Sequence, residues 1–207
     1  DSFFLKHIFM KRKIAIQGVA GSFHDIAAKN YFKGDELDII PCDSFKEVFA
    51  TIKKDNSVIG VIAIENTIAG SLLPNHNLLK DSGLRIMGET KLRIEHNLVC
   101  LKGQTIDDVH DVYSHPIALM QCEDFLAQHP HLCAVESDDT AQSAKRIAEN
   151  NIMGRAAICG KLAADIYGLE ILASGIETNK RNFTRFLIIG DPWTADEHLK
   201  GKTVDKS

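Results

Sequence analysis

Polar and charged side chains gather at four places where the chain passes from one regular element to the next. In chain order the candidates are Gly21 and Ser22, then Glu65, Asn66 and Thr67, then Ser114 and Gln121, and last Thr184, Arg185 and Phe186. Backbone amides at a glycine corner or a helix start can hold an anion, and an arginine can hold a carboxylate. These groups predict a site for a small anionic ligand.

The first two groups also have purely structural explanations. The glycine corner at residues 18–23 lacks the Gly-x-Gly-x-x-Gly spacing of a dinucleotide site and the Gly-Lys-Ser/Thr of a phosphate loop. A tight turn capped by Ser22 explains it equally well. Glu65 and Asn66 are also suited to hydrogen-bond the turn around Gly70.

Histidines and cysteines give weaker signals. His115 before Pro116 is more typical of a helix cap than of a catalytic base, and Cys122 is more typical of a small core residue. His129 and His131 flank a proline in a polar loop and have no carboxylate or cysteine at ligand spacing. We therefore expect no metal site.

The sequence of residues 182–190 predicts a β-strand whose two faces carry different kinds of side chain. Alternation places Thr184 and Phe186 on one face and Arg185 on the other. An arginine in so apolar a strand needs a carboxylate partner, either from the protein or from a ligand. Thr184 and Arg185 can both face a ligand only if the chain bends where the strand begins.

Composition narrows the class of protein. The chain has 207 residues, 24 basic and 28 acidic side chains and a net charge of −4, which argues against a general nucleic-acid binder. Its five cysteines are odd in number and contain no Cys-x-x-Cys pair, as expected of reduced thiols in the cytoplasm. We expect residues 1–9 to be an extension that contributes little to the fold. This segment is too short for a signal peptide or a membrane span.

The elements that must position these groups alternate between strand and helix. Residues 58–64 are almost continuously apolar, which is typical of a central parallel strand covered on both faces. The order predicts an α/β fold with two lobes: residues 13–90 plus 176–192 form the first, and residues 91–175 form the second. Parallel sheets place ligands beyond the carboxyl ends of their strands.

In order and spacing, several motifs together resemble the prephenate dehydratases from about residue 13 to residue 192. They are Gly-x-x-Gly-Ser-Phe at 18–23, Glu65-Asn66-Thr67 with Gly70-Ser71, Ser114-His115-Pro116 with Gln121-Cys122, Thr140-Ala141, Ala163-Ala164-x-x-Tyr167-Gly168, and Asn182-x-Thr184-Arg185-Phe186. The resemblance implies decarboxylating dehydration of prephenate to phenylpyruvate in phenylalanine synthesis, without a cofactor. It also implies a two-lobed fold like the type II periplasmic binding proteins, with the active site in the cleft between the lobes.

The resemblance also implies roles for individual residues. Thr184 is expected to act at the leaving hydroxyl as an oriented hydrogen-bond donor, with Glu65 or a water as relay. Gly21, Ser22, Asn66, Thr67, Ser114, Gln121, Arg185 and Phe186 are expected to bind substrate. The family further suggests a homodimer or homotetramer. An arogenate dehydratase and a non-catalytic ligand-binding module are the alternatives.

Four positions depart from the usual family pattern. His24 replaces the serine common after the aromatic residue, Thr67 replaces a serine, Asp139 replaces the first residue of Ser-Thr-Ala, and Asn77 replaces an aspartate before two leucines. Asp139 adds negative charge near an anion site. Residues 193–207 are expected to be a tail or the start of a missing regulatory domain of the ACT type, so we expect no phenylalanine feedback of that kind.

Overall fold

A computed structural model describes residues 11–204, so the expected extension at residues 1–9 lies outside the described residues. The strands are β1 (Lys11–Gln17), β2 (Glu36–Cys42), β3 (Ile59–Asn66), β4 (Gly70–Ser71), β5 (Arg85–Arg93), β6 (Asn97–Cys100), β7 (Asp111–Ser114), β8 (Cys133–Glu136), β9 (Arg155–Cys159), β10 (Glu170–Ala173) and β11 (Phe183–Gly190). The α-helices are α1 (Phe23–Tyr31), α2 (Phe45–Lys54), α3 (Leu73–Ser82), α4 (Pro116–Gln121), α5 (Glu123–Gln128), α6 (Thr140–Glu149), α7 (Lys161–Tyr167) and α8 (Pro192–Val204).

The strands form two sheets. The first has the order β2-β1-β3-β11-β5, with β4 paired to β3, and the second has the order β10-β6-β9-β7-β8. In the first sheet β11 runs antiparallel to both of its neighbours, while β1, β2 and β3 are parallel. The chain leaves the first sheet after β5 and returns to it at β11, so two segments join the sheets.

This topology confirms the predicted α/β fold class, with the two-lobed architecture of the type II periplasmic-binding-protein kind. The division into lobes at residues 90 and 176 stays a prediction. Strand β5 continues in the first sheet to Arg93, three positions beyond the predicted end of that segment at residue 90. Within residues 11–204, no helix has the length and apolar character needed to cross a membrane.

The central strands of the first sheet are buried on both faces because helices cover each side. On β11, Phe186 and Ile188 belong to one core cluster, whereas Leu187 and Ile189 belong to the cluster on the opposite face. The alternation predicted for this strand is therefore confirmed. Since successive side chains point to opposite faces, Thr184 lies on the same face as Phe186.

Side-chain caps fix where the helices that follow the parallel strands begin. Ser22 accepts a hydrogen bond from Asp25 N, as expected of the capped turn at residues 18–23, and Ser44 accepts one from Glu47 N. Asp139 caps α6 by accepting from Gln142 N. Each cap satisfies a backbone amide that has no partner within the helix.

The spacing of apolar residues predicts one helix over residues 116–128, but in the structure this helix is interrupted at Cys122. Thr178 N donates to the Gln121 carbonyl oxygen at 2.8 Å, and Thr178 Oγ1 accepts from Asp124 N at 3.2 Å. These bonds replace the continuous helical pattern with two short helices, α4 and α5. Thr178 lies in the segment that returns to the first sheet, so periodicity along residues 116–128 carries no sign of the break.

Residues 192–204 form helix α8, which packs on the first sheet. Ala195 is fully buried in the same core cluster as Phe186, and Arg85 forms an ion pair with Asp196 at 2.8 Å. The interpretation of residues 193–207 as a tail or as the start of an ACT domain stays a prediction.

Candidate active site

A cleft with a volume of about 510 Å³ lies where the carboxyl ends of parallel strands from the two sheets face each other. Its polar lining residues are Gln17, Ser22, His24, Asp43, Ser44, Asn66, His96, His115, Gln121, Asp138, Asp139, Thr140 and Thr184. Apolar side chains, among them Phe23, Phe45 and Phe186, form much of the remaining wall. The cleft thus combines an aromatic wall with convergent polar groups, the usual character of a small-molecule site.

The N-terminal ends of four helices border this cleft. Cleft-lining residues include the caps or first residues of α1, α2, α4 and α6, namely Ser22, Ser44, His115 and Asp139. Among the described residues that line the cleft there is no lysine or arginine. An anion in the cleft would therefore depend on amide donors and helix dipoles for its attraction.

Thr184 and Asn66 form the polar centre of the cleft floor. Asn66 Nδ2 donates to Thr184 Oγ1 at 2.9 Å and to Asn182 Oδ1 at 2.8 Å. Because Thr184 Oγ1 accepts this bond, its hydroxyl hydrogen is available to an acceptor in the cleft. Thr184 is buried, which limits competition from water.

The hydrogen-bond network continues from Asn66 to helix α4 and to the segment between β5 and β6. Asn182 Nδ2 lies 2.9 Å from Gln121 Oε1, and Gln121 Oε1 lies 2.8 Å from His96 Nε2. His96, Gln121 and Asn182 are all buried. The network therefore joins α4 to β3 and β11 across the floor of the cleft.

Half of the ten predicted site residues line the cleft: Ser22, Asn66, Gln121, Thr184 and Phe186. Thr67 Oγ1 instead donates to Arg181 O at 2.8 Å, and Ser114 Oγ donates to Ile158 O at 2.7 Å. Gly21 has φ +89°, and an added Cβ would lie 2.7 Å from Ala163 Cα. The substrate-binding roles of these residues stay predictions, and the contacts of Thr67 and Ser114 are structural.

Arg185 and Glu65 are not among the residues that line the cleft. The Arg185 guanidinium pairs with Glu89 at 2.7 Å and with Glu65 at 3.5 Å, and its bond to Glu89 raises its pKa. The carboxylate partner that the sequence requires thus comes from the protein in this structure. The predicted relay from Glu65 to Thr184 stays a prediction.

Sequence reasoning missed His96 and Asn182 as members of the polar network. Asn182 belongs to the motif that contains Thr184, and its position two residues earlier could have drawn attention to it. His96 follows the end of β5 and precedes β6, so it does not lie at a strand-to-helix corner. Burial of Cys122 raises its pKa to about 12, which supports the interpretation of that residue as part of the core.

The imidazole of His24 accepts a hydrogen bond from a backbone amide of strand β3. Its Nε2 accepts from Ala63 N at 3.1 Å, so the ring proton of neutral His24 lies on Nδ1. The ring packs against Phe45 and Phe186 at centroid distances of 5.4 and 5.1 Å. Burial lowers the His24 pKa to about 4, so this histidine is neutral at physiological pH.

The lowered pKa of His24 predicts a loss of stability in mild acid. The unfolded chain binds this proton near pH 6.5 and the folded chain only near pH 4, so the stabilisation is complete above pH 6.5 and is lost as the pH falls. We expect the free energy of unfolding to drop by about 2 kcal/mol between about pH 7.5 and pH 5 from this group. Urea unfolding across that range measures the change.

The matched control is His24→Gln, which keeps an acceptor for Ala63 N but does not titrate. Its stability is expected to depend less steeply on pH. The dependence will not vanish, because burial also lowers the pKa of His96. An unchanged slope in His24→Gln would show that His24 is not the group responsible.

Comparison with known proteins places this geometry in a family. Residues 14–193 match the family model described as prephenate dehydratase. The chain belongs to the prephenate dehydratase family. Dehydration breaks a carbon–oxygen bond, so the hydro-lyase type of reaction that the resemblance implies is confirmed for the family.

Individual members of the prephenate dehydratase family are similar over most of the chain. An Arabidopsis thaliana protein named "Arogenate dehydratase/prephenate dehydratase 2, chloroplastic" is 38% identical over 86% of this chain and 46% of its own length. The structure of prephenate dehydratase from Arthrobacter aurescens in complex with L-Phe has a TM-score of 0.79 at 26% identity, covering 87% of this chain and 60% of that one. The structure of GqqA, described as a novel type of quorum-quenching acylase, has a TM-score of 0.77 at 33% identity and covers 86% of this chain and 64% of that one. The chain thus spans about half the length of the curated relative.

Proposed function

We propose that this chain catalyses the decarboxylating dehydration of prephenate to phenylpyruvate. The observation that carries the proposal is the Thr184 hydroxyl, which is buried at the cleft floor and accepts from Asn66 Nδ2 at 2.9 Å. This bond leaves the hydroxyl hydrogen for an acceptor in the cleft, as the departing oxygen of a dehydration requires. Membership of the prephenate dehydratase family supports the same reaction.

The proposed reaction requires little from the protein beyond orientation and hydrogen bonding. The bond between the ring and its carboxylate breaks to release carbon dioxide, and its electron pair enters the ring as the ring hydroxyl departs. The leaving hydroxide takes up one proton from solvent to become water. Aromatisation drives these steps, so no cofactor is proposed. A donor held close to the hydroxyl stabilises the charge that develops on the leaving oxygen.

The cleft is proposed to hold substrate carboxylates through helix N-termini and not through cations. Ser22 and Ser44, at the starts of α1 and α2, lie on one side, and the start of α4 lies on the other. This arrangement suits a carboxylate that must leave as carbon dioxide, because a tight ion pair would stabilise the ground state as well as the transition state.

A second candidate substrate is arogenate, which carries an ammonium where prephenate has a keto group. Two observations favour it: the relative named arogenate dehydratase/prephenate dehydratase 2, and the presence of Asp43, Asp138 and Asp139 in the cleft lining. However, Asp139 already accepts from Gln142 N at 2.9 Å. Burial of Asp139 raises its pKa, which weakens it as a partner for an ammonium group.

The similarity to GqqA, described as an acylase, raises acyl hydrolysis as another reaction. A serine hydrolase needs a histidine that accepts the proton of the serine hydroxyl. Here His24 Nε2 accepts from Ala63 N, His115 Nδ1 accepts from Ile117 N, and His96 Nε2 bonds to Gln121. His24 and His115 therefore use their acceptor nitrogen on a backbone amide, and among the described residues no serine hydroxyl is hydrogen-bonded to His24, His96 or His115, so dehydration is favoured.

The deciding experiment is turnover of prephenate and arogenate by the purified chain, with phenylpyruvate and phenylalanine separated by chromatography. We expect prephenate to have the higher kcat/KM, by about tenfold or more, which corresponds to about 1.4 kcal/mol of discrimination. A preference for arogenate would overturn the substrate assignment. No turnover of either substrate would overturn the dehydratase proposal.

We also propose that the chain works as a homodimer or homotetramer in the cytoplasm, with residues 13–90 plus 176–192 as one lobe and residues 91–175 as the other. The two sheets support this division, and four of the five cysteines are buried free thiols, in keeping with a reducing compartment. The curated Arabidopsis relative carries the word chloroplastic in its name, which describes that protein.

A further inference from the structure

His96 lies at the far end of the hydrogen-bond network that reaches Thr184. It is 2% exposed and follows β5 in the first segment that joins the two sheets. Its backbone N donates to Glu177 Oε2 at 3.0 Å, which fixes the main chain at this position. Its Nε2 lies 2.8 Å from Gln121 Oε1.

The donor and acceptor roles along the network follow from two backbone amides. Ile68 N and Ala69 N both donate to Asn66 Oδ1 at 2.9 Å, so the other amide atom of Asn66 is the donor Nδ2. Asn66 Nδ2 donates to Asn182, which must present its oxygen there and its nitrogen to Gln121. Gln121 therefore presents its oxygen to Asn182 and to His96.

This order of donors and acceptors allows only one tautomer of the neutral His96 imidazole. Because Gln121 Oε1 can only accept, His96 Nε2 must carry the ring proton. His96 Nδ1 is then an unprotonated acceptor, and it has no hydrogen-bond partner within residues 11–204. The Phe23 ring packs edge-on to the imidazole at a centroid distance of 5.5 Å.

We propose that His96 is a positioning residue for the dehydration, acting through Gln121, Asn182 and Asn66 on the Thr184 hydroxyl. Its Nε2–H holds the Gln121 oxygen in place, so that Asn182 and Asn66 keep the orientation in which Asn66 donates to Thr184. Without that donor, the Gln121 amide can rotate, and Thr184 loses the bond that directs its hydrogen towards substrate. This positioning role of His96 rests on the proposed dehydratase function.

An ordinary core histidine would give a different result. If His96 only fills space beside Phe23, its replacement by asparagine or glutamine should chiefly affect stability. If it supplies the Nε2–H, the two variants should differ. The amide nitrogen of glutamine can reach the position of imidazole Nε2, whereas that of asparagine reaches only about as far as Nδ1.

The test compares His96→Asn with His96→Gln in steady-state turnover of the preferred substrate. We expect kcat to fall by about 10- to 100-fold in His96→Asn with KM within about twofold, because misplacement of a catalytic group mainly affects the transition state. We expect His96→Gln to recover kcat to within about fivefold of the wild type. An unaltered kcat in His96→Asn, or equal losses in the two variants, would overturn the proposal.

A second measurement needs no variant and no substrate. Nitrogen-15 NMR of the wild-type chain labelled at histidine reports which ring nitrogen of His96 carries the proton. A proton on Nε2 supports the network, and a proton on Nδ1 overturns it even if His96→Asn does not fold. No turnover by the wild type would remove the dehydratase reaction and the role of His96 in it, whereas the NMR result decides independently whether the donor exists.

Discussion

Replacement of Thr184 by alanine is expected to lower kcat by about 10²- to 10³-fold, the loss typical of removing one preorganised donor from a developing oxyanion. Thr184 Oγ1 accepts from Asn66 Nδ2, and its own hydrogen is proposed to bond the departing hydroxyl of the substrate. KM should change by less than about threefold, because the bond gains strength mainly as charge develops on the leaving oxygen. Steady-state kinetics with prephenate measures both constants.

The matched control is Thr184→Ser, which keeps the hydroxyl and removes only a methyl group. We expect it to retain about a tenth or more of the wild-type kcat, since the β-branched threonine restricts χ1 more than serine does. Unfolding curves of both variants should lie close to that of the wild type, because Thr184 is a small side chain near the start of β11 and Asn66 Nδ2 keeps its bonds to Asn182 Oδ1 and Phe183 O. Turnover by Thr184→Ala within about threefold of the wild type would remove Thr184 from the mechanism.

The sequence predicts Thr184 more reliably than its neighbour Arg185, and the reason is geometric. Strand periodicity depends only on local order, so the placement of Thr184 with Phe186, and of Arg185 on the other face, could be predicted from residues 182–190. The partner of Arg185 depends on which strand lies beside β11. Glu89 is 96 positions away in sequence and becomes adjacent only through the pairing of β5 with β11.

The polar network could be predicted only in part for the same reason. Asn66, Gln121 and Thr184 each lie in a motif at the end or start of an element, and the fold brings them together. His96 has no such local signal, because its contact with Gln121 depends on the path of the first joining segment. The break at Cys122 likewise depends on Thr178, which approaches from the second joining segment.

The second large effect is expected from Arg93→Met, which should lower the free energy of unfolding by about 3 kcal/mol. The Glu177 side chain is fully buried, and its carboxylate lies 3.2 Å from Arg93 Nη2 and 3.8 Å from Lys180 Nζ. It also accepts from His96 N, so it holds together the two segments that join the sheets. Among the described residues, removing Arg93 leaves the buried carboxylate of Glu177 with only the more distant Lys180 as its ionic partner, which is destabilising.

The informative comparison is Glu177→Gln, which removes the fully buried member of the pair. Its amide oxygen can still accept from His96 N, and no buried charge remains, so we expect a loss of about 1 kcal/mol. Removing the half-exposed arginine should therefore destabilise the fold more than replacing the buried glutamate.

For the same reason the double variant should be more stable than Arg93→Met alone, since the second change eliminates the uncompensated charge. Urea unfolding of the three variants measures this order. A smaller loss in Arg93→Met than in Glu177→Gln would mean that Glu177 stabilises the joining segments through its hydrogen bonds and not through its charge.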